Sequence, residues 1–221
     1  MNRMPAHRPT VFVVDDDRQM LDSLTTLLVA MKFATRAFSS AEEFLRHYEP
    51  SMPGCMLLDV RMPVQDGMEL YEQLIREGKR VPVIFITAHA DVSVAVAAMK
   101  SGAIEFLEKP FDREILLDRV HKALALDAKW RKRESEYSTL DDRIRLLTDR
   151  ERQTLELLLT GDANKVMASK LQISERAVEM RRAAIMQKLK TRSLAELVEL
   201  AITHRILGEI RQARCCAWLN S

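Results

Sequence analysis

Carboxylates, a hydroxyl and an ammonium group each come shortly after an apolar run in the first half of this 221-residue chain. Asp15 and Asp16 follow the run VFVV, and Asp59 follows CMLL. Thr87 follows VIFI, and Lys109 follows EFLE. Carboxylates crowded into one crevice repel and raise one another's pKa, so they are tolerated there chiefly when a cation lies among them. Hard oxygen ligands suit Mg²⁺, and the residue types therefore predict a divalent-cation site.

Helix capping is the structural alternative for the three consecutive aspartates. Asp is favoured immediately before a helix and stabilises the helix dipole there, and a helical pattern starts near Arg18. Capping accounts well for one aspartate, and we assign that role to Asp17. Capping does not explain why two more aspartates, Asp15 and Asp16, precede it. It also does not explain why a third acid, Asp59, follows another apolar run in the same way. We therefore expect these three carboxylates in one crevice.

The elements that must position these residues are short strands that alternate with helices. Apolar runs of strand length occur at residues 11–14, 34–38, 55–58, 83–86 and 104–107. Apolar residues between the runs recur at helical spacing, as Val92, Val96 and Met99 do. Continuous apolar strands are typical of a parallel sheet covered by helices on both faces. The sequence therefore predicts an α/β fold with a doubly wound, five-stranded parallel sheet, in which ligands bind beyond the carboxyl ends of the strands.

Four motifs make the first half of the chain recognisable. VVDDD, LLDVRMPVQDG, FITAHAD and EFLEKPF, in this order, resemble the receiver domain of two-component response regulators over residues 8–126. The resemblance implies a flavodoxin-like fold and a sensor histidine kinase as partner, from which Asp59 accepts a phosphoryl group. Lys109 would pair with the phosphoryl oxygens, and Thr87 would hydrogen-bond to one of them.

The same resemblance implies a set of metal ligands. Mg²⁺ would be held by Asp16, Asp59 and the backbone carbonyl of Arg61, with Asp15 helping through water. The chemistry agrees, because a carboxylate is a poor nucleophile toward an anionic phosphoryl group unless cations neutralise the charge that spreads over the transferring oxygens. The loop after Asp59 ends at Gly67, which is typical of a tight turn at a crowded site.

Further residues around the crevice concern signal transmission and signal lifetime. The resemblance implies that Thr87 and an aromatic on the fifth strand, Phe106, transmit the signal, and an ordinary core aromatic is the alternative for Phe106. It also favours a cis bond before Pro110. Arg61 and His89 each lie two positions beyond a site residue, so we expect them at the rim, where they would set the lifetime of the phosphoryl group. The alternative for both is an exposed side chain without effect.

A change in composition follows the receiver-like part. Residues 127–143 are strongly charged and contain no Gly or Pro, so we predict a charged helical linker. Its basic run KWRKR could indicate nucleic acid, but the acidic residues that follow favour a solvated helix face. Residues 1–126 contain fifteen basic and eighteen acidic residues, a net charge of −3, whereas residues 127–221 contain nineteen and fourteen, a net charge of +5. We therefore predict a separate basic domain at residues 144–221.

The last part of the chain predicts an all-α domain of four helices. TDRE at 148–151 and SLAE at 193–196 are capping-box patterns that would open the first and last helices, and Gly161 would end the first. Ser174 would cap the third helix, and the turn QIS before it has helix-turn-helix spacing. Residues 144–204 resemble the LuxR-type helix-turn-helix of the FixJ/NarL response regulators. The resemblance implies binding to double-stranded promoter DNA.

The third of these helices would be the recognition helix. Val178, Ile185 and Leu189 share one face, which should pack inward. The opposite face, which would enter the major groove, carries Arg176, Glu179, Met180, Ala183 and Gln187. In the family the positions of Glu179, Met180 and Ala183 reach bases. The candidate phosphate contacts are Lys165, Arg181, Arg182 and Lys188. A basic solvated helix is the alternative interpretation.

We interpret the chain as a phosphorylation-activated transcription regulator that forms a homodimer on phosphorylation and works with RNA polymerase. Three cysteines without metal-ligand spacing, and no apolar run near the ~18 residues that a membrane helix needs, predict a reduced, cytoplasmic protein away from the membrane. An output domain that binds RNA as an antiterminator is the alternative, although the capping boxes and short turn favour DNA. We expect no enzymatic activity other than self-directed phosphoryl transfer and hydrolysis of the phosphoryl group, because no second catalytic cluster is evident in the sequence.

Overall fold

The computed structural model describes residues 8–88 and 104–217. It divides into two compact units, Met1–Arg131 and Lys132–Ser221. The division falls inside the segment that we predict as a linker, and the domain limits themselves stay a prediction. His89 and the helical spacing at residues 92–99 lie outside the described residues.

The first unit is built from strands that alternate with helices. Its strands are β1 (Thr10–Val14), β2 (Ala34–Phe38), β3 (Gly54–Asp59), β4 (Val83–Thr87) and β5 (Glu105–Glu108). The described helices of this unit are α1 (Arg18–Ala30), α2 (Ala41–His47), α3 (Gly67–Arg76) and the first part of α4 (Arg113–Arg145). Each apolar run that predicts a strand forms one, with ends that differ by at most one residue from the prediction.

The five strands form one sheet in the order β2-β1-β3-β4-β5, and every pair is parallel. The doubly wound α/β fold predicted from the sequence is therefore confirmed. In the register, Val14 lies opposite Leu58, Asp59 opposite Ile86, and Thr87 opposite Glu108. Since all strands run the same way, the residues that follow them meet at one edge of the sheet.

Apolar side chains cover both faces of the sheet. One cluster includes Phe12, Met56 and Phe85, and the other includes Val13, Leu57 and Ile86. The side chains of successive residues in one strand thus lie in the apolar clusters on opposite faces of the sheet. This explains why β3 and β4 are buried along their whole length. This two-sided burial gives the strands their continuous apolar sequences and fixes their carboxyl ends rigidly.

The second unit is helical. It contains the end of α4 and the helices α5 (Asp149–Leu159), α6 (Asn164–Leu171), α7 (Glu175–Leu189) and α8 (Leu194–Ala217). Val178, Ile185 and Leu189 of α7 are fully buried in its core, as their shared face predicts. The short turn between α6 and α7 gives the predicted helix-turn-helix.

Helix caps explain where these helices begin. TDRE forms a complete capping box, with Thr148 and Glu151 each bonding to the backbone of the other. Ser174 caps α7, and its hydroxyl accepts a hydrogen bond from the Ala177 N–H at 3.2 Å. The second predicted box is only half formed. Ser193 accepts from the Glu196 N–H, but the Glu196 carboxylate accepts from the Arg192 N–H, one residue before the expected partner.

Candidate functional sites

Lys109 joins two carboxylates at the carboxyl edge of the sheet. Its Nζ donates hydrogen bonds to Asp59 Oδ1 at 2.7 Å and to Asp15 Oδ2 at 2.9 Å. Asp15 follows β1, Asp59 ends β3 and Lys109 follows β5, so three separate strands deliver these side chains. Both carboxylates are buried, with 2% of Asp15 and 7% of Asp59 exposed. We call these three residues the acid–lysine crevice.

The remaining carboxylate oxygens of the crevice are held by backbone groups. Asp59 Oδ2 accepts a hydrogen bond from the Arg61 N–H at 2.7 Å, and Asp15 Oδ1 accepts one from the Asp17 N–H at 2.9 Å. In each carboxylate, one oxygen therefore accepts a hydrogen bond from the Lys109 ammonium group, and the other accepts one from the backbone N–H two residues further along the chain. This double attachment fixes the orientation of both side chains. Asp17 itself caps α1 by accepting from the Gln19 N–H, which confirms its predicted role.

The charges in the crevice shift two pKa values. Burial raises the pKa of Asp59 above its ordinary value; the hydrogen bond and charge of Lys109 oppose this effect, while repulsion from Asp15 adds to it. Burial acts to lower the pKa of Lys109, but its bonds and attraction to the two carboxylates outweigh burial, so the pKa of Lys109 is raised. The ammonium group is thus held in its charged form beside the buried acids.

The loop between β3 and α3 is shaped by a very close backbone contact. The Gly67 N–H donates to the Val60 carbonyl at 2.9 Å, and a Cβ added to Gly67 would lie only 2.1 Å from the carbonyl oxygen of Asp59. Asp66, just before it, forms a capping box with Glu69 and so fixes the start of α3. The sequence indicates a tight turn here, but it does not reveal that Gly67 packs against Asp59 itself.

The other predicted crevice residues have differing environments. Thr87 ends β4 and is buried, and its carbonyl accepts a hydrogen bond from the Lys109 N–H at 2.7 Å. Phe106 on β5 is partly buried against the apolar cluster that contains Phe85. Asp16 and Arg61 are exposed. The Lys109–Pro110 peptide bond is cis, as the resemblance predicts.

The crevice contains oxygen donors of the kind that a hard divalent cation prefers. Asp15 and Asp59 have oxygens within hydrogen-bonding distance of the same nitrogen, and Asp16 is the exposed neighbour of Asp15. Within the described ranges, however, no three Asp, Glu, His or Cys side chains are grouped closely enough to hold a metal. The Lys109 ammonium lies between the two buried acids, and it supplies the positive charge that this arrangement requires.

A polar network at the opposite end of β3 is not predicted by our sequence analysis. Asp127 is 3% exposed, and its Oδ2 accepts from the Gly54 N–H at 2.9 Å and from Arg131 Nε at 2.8 Å. Arg131 also donates to the carbonyls of Pro50, Ser51 and Met52. The start of the charged segment after residue 126 is therefore anchored to the strand that carries Asp59. The Asp-Arg spacing of four residues is the signal that the sequence offered.

The exposed face of α7 matches the predicted recognition surface. The five residues predicted for this face are all exposed: Arg176, Glu179, Met180, Ala183 and Gln187. Met180 is 68% exposed on this face. Since the buried face of α7 carries Val178, Ile185 and Leu189, the two faces are cleanly separated.

The basic residues around this face differ in their partners. Lys165 is exposed and Arg181 is half-buried. Arg182 donates from Nη1 to Asn164 Oδ1 at 2.5 Å, which links α7 to the start of α6. Lys188 donates from Nζ to Glu151 Oε2 at 2.6 Å and to the Leu146 carbonyl at 3.2 Å. The side chains of Arg182 and Lys188 are thus already engaged inside the domain.

Comparisons with known protein families match both units. Residues 11–121 match the family described as response regulator receiver domain, and residues 145–201 match the family described as bacterial regulatory proteins, luxR family. The parallel sheet with its acid–lysine crevice is therefore a receiver domain, and the helical unit is a LuxR-type DNA-binding domain. Together they define the class of response regulators.

Individual relatives extend the match over almost the whole chain. The transcriptional regulatory protein FixJ of Azorhizobium caulinodans is 44% identical over 199 residues, which covers 90% of this chain and 94% of FixJ. The response regulator protein TodT of Pseudomonas putida is 37% identical over 206 residues, covering 93% and 90%. The structure of the response regulator StyR is similar with a TM-score of 0.80 and 45% identity, covering 89% of this chain and 99% of StyR. The chain belongs to the FixJ/NarL family of two-component response regulators.

This family membership fixes the broad function. The protein is a transcription regulator with a receiver domain and a DNA-binding domain, and its relatives are regulators, not classical enzymes. None of the helices in the described ranges is long and apolar enough to span a membrane.

Proposed function

We propose that Asp59 accepts a phosphoryl group from a sensor histidine kinase and that this modification activates DNA binding. The observation that carries the proposal is the position of Asp59 at the end of a buried strand, with Lys109 on one oxygen and the Arg61 N–H on the other. A receiver domain has this arrangement ready for an incoming phosphoryl group, because the nucleophile is oriented and a cation stands beside it.

Lys109 has a specific task in this transfer. An Asp59 oxygen forms a bond to phosphorus as the bond from phosphorus to the kinase histidine breaks. The electron pair of the broken bond stays on the histidine nitrogen, which takes up a proton. Asp59 loses its carboxylate charge and the phosphoryl group keeps about two negative charges, so Lys109 exchanges its bond to Asp59 for one to the phosphoryl group. Its bond to Asp15 keeps the ammonium group in place during this exchange.

We propose Asp15, Asp16, Asp59 and the backbone carbonyl of Arg61 as the residues that hold Mg²⁺, on the basis of their hard oxygen donors. The bound ion supplies neutralisation of the charge that spreads over the transferring oxygens. The Asp17 and Arg61 N–H groups hold Asp15 and Asp59 in fixed orientations, and the exposed Asp16 would have to turn toward them to complete the site.

Thr87 and Phe106 transmit the signal in this proposal. The phosphoryl group on Asp59 carries about two negative charges, and drawing the Thr87 hydroxyl toward them leaves space for Phe106 to turn inward. Phe106 is only partly buried, so this movement removes apolar surface from water, which favours the inward position. The changed surface around β5 then forms a homodimer, which acts in the cytoplasm on promoter DNA together with RNA polymerase.

DNA binding by the exposed face of α7 is tested by binding-site selection with the phosphorylated chain. A dimer that places two recognition helices in major grooves one turn apart, ~34 Å, should select an inverted repeat. Phosphorylated protein should bind this site more tightly than untreated protein. Glu179→Ala should relax the preference at one position, because a carboxylate can accept only from a base donor such as cytosine N4.

Glu199→Ala is the matched control for this selection. Glu199 is an exposed glutamate on α8 and does not belong to the predicted recognition helix, so its removal should leave the selected sequence unchanged. The same selected sequence for Glu179→Ala and wild type would refute the base-reading role of Glu179. Failure to enrich any duplex DNA would refute the proposed function.

Arg61 and His89 are proposed to set the lifetime of the phosphoryl group. The Arg61 N–H holds Asp59, and this bond survives a change of side chain, so Arg61→Ala alters only the exposed guanidinium. We expect a several-fold change in the dephosphorylation rate with the same final labelling, because the side chain stands where water approaches. A decay time course after removal of the phosphodonor measures this. Arg76→Ala, a similarly exposed change on α3, serves as control, and decays that superimpose on wild type would contradict the proposal.

A further inference from the structure

Lys188 lies on the last turn of the recognition helix, where a basic residue would ordinarily be assigned to a DNA phosphate. In the structure its Nζ is 2.6 Å from Glu151 Oε2 and 3.2 Å from the Leu146 carbonyl oxygen. The side chain of Glu151 is 10% exposed and that of Lys188 is 34% exposed. The ion pair is therefore mostly enclosed by the domain, and it joins the end of α7 to the start of α5.

Glu151 is committed to this position by other bonds. The same Oε2 atom accepts from the Thr148 N–H at 2.7 Å and from the Thr148 hydroxyl at 2.9 Å, which closes the capping box of α5. Burial acts to raise the pKa of Glu151, but its bonds to Lys188 and Thr148 outweigh burial and lower the pKa. A Lys188 side chain that turned to a phosphate would leave this enclosed carboxylate without its cation, which is costly.

Lys165 and Arg176 present the opposite case. Both are exposed, and among the described residues neither side chain makes a hydrogen bond or an ion pair. Their charges can be placed on DNA without breaking a contact inside the domain. The basic residues near α7 therefore fall into two groups, one available to phosphates and one used to hold the helix.

We infer that Lys188 is a positioning residue: paired with Glu151, it fixes the recognition helix against the start of α5 and contacts no phosphate. This inference rests on the proposed DNA-binding function. It follows that the affinity of the protein for its selected site depends on Lys188, whereas the number of counterions released on binding does not. Those two quantities can be measured separately.

The salt dependence of binding to a random-sequence DNA duplex separates the two roles. Loss of one phosphate contact lowers the slope of log affinity against log salt by about 0.9. With the full chain treated with acetyl phosphate, Lys188→Met should keep the wild-type slope. Lys165→Met, the matched removal of an exposed lysine, should lower it by ~0.9. A fall of this size for Lys188→Met would overturn the inference.

Binding to the selected site gives a second test, which includes a variant that retains Lys188. Glu151→Gln keeps the shape of the side chain and leaves the Lys188 charge in place. A positioning pair predicts about tenfold weaker binding for Glu151→Gln and for Lys188→Met, with no further loss in the double variant. Unchanged or tighter binding by Glu151→Gln would overturn the inference, because Lys188, released from its carboxylate partner, would then be contacting a DNA phosphate. If the wild-type protein bound neither the random-sequence duplex nor the selected site, the proposed DNA-binding function would be refuted, and the inference about Lys188 would be refuted with it.

Discussion

Asp59→Asn should abolish phosphoryl labelling of the protein by acetyl phosphate and magnesium. Wild-type protein should gain one phosphoryl group, held as a base-labile acyl phosphate, and intact-mass measurement would detect the gain. The variant keeps the size of the side chain but replaces the carboxylate nucleophile by an amide, which cannot form a stable bond to phosphorus. Lys109 keeps its bond to Asp15 in the variant, so the rest of the crevice should persist.

Asp66→Asn is the matched control for this experiment. Asp66 lies on the same loop and caps α3, and Asn caps helices about as well as Asp does. It should therefore be labelled to the same extent as wild type. Undiminished labelling of Asp59→Asn would mean that another residue accepts the phosphoryl group, and peptide mapping would then identify it.

The sheet and the crevice were predictable for the same physical reason. A strand buried on both faces must be apolar along its whole length, so β3 and β4 stand out in the sequence and end where a polar residue begins. Asp59 and Thr87 are those first polar residues. Because parallel strands align their ends, locating the ends of the strands also locates the residues that meet there.

Contacts between distant buried polar groups could not be predicted in this way. Asp127 bonds to the backbone of Gly54, 73 residues away, and Lys188 pairs with Glu151, 37 residues away. A charged residue in a charged segment has the same appearance in sequence whether it is solvated or buried with a partner. Only the packing of helices and strands decides which. The sequence therefore predicted a charged linker that includes Asp127 and a phosphate contact at Lys188, whereas both side chains have partners inside the fold.

The sequence indicates a tight turn at Gly67, but it does not show which contact requires a glycine there. Gly67 begins α3 in an ordinary conformation for any amino acid, so its backbone angles do not demand glycine. The demand comes from the carbonyl oxygen of Asp59, which would lie 2.1 Å from an added Cβ. This oxygen belongs to the backbone of a buried strand, so it cannot move out of the way as the end of a flexible side chain would.

Gly67→Ala should therefore damage both stability and phosphorylation. The added methyl group must push α3 away from β3 or displace the Asp59 carbonyl, and overpacking of this kind costs about 3 kcal/mol. Displacement of Asp59 also disturbs its bonds to Lys109 and the Arg61 N–H, so labelling by acetyl phosphate should fall well below wild type in the fraction that remains folded. Urea unfolding measures the first effect and intact mass the second.

Gly78→Ala separates this steric effect from the general cost of replacing a glycine. Gly78 has φ +67 and nothing within 4 Å of an added Cβ, so alanine there is strained by its backbone alone. The left-handed conformation costs about 1 kcal/mol for alanine, and the residues of the acid–lysine crevice are unchanged. We expect full labelling of Gly78→Ala and a small loss of stability. If Gly67→Ala matched Gly78→Ala in both measurements, the close contact between Gly67 and Asp59 would not constrain the site, and the loop after β3 would have to be more adaptable than its bonded geometry indicates.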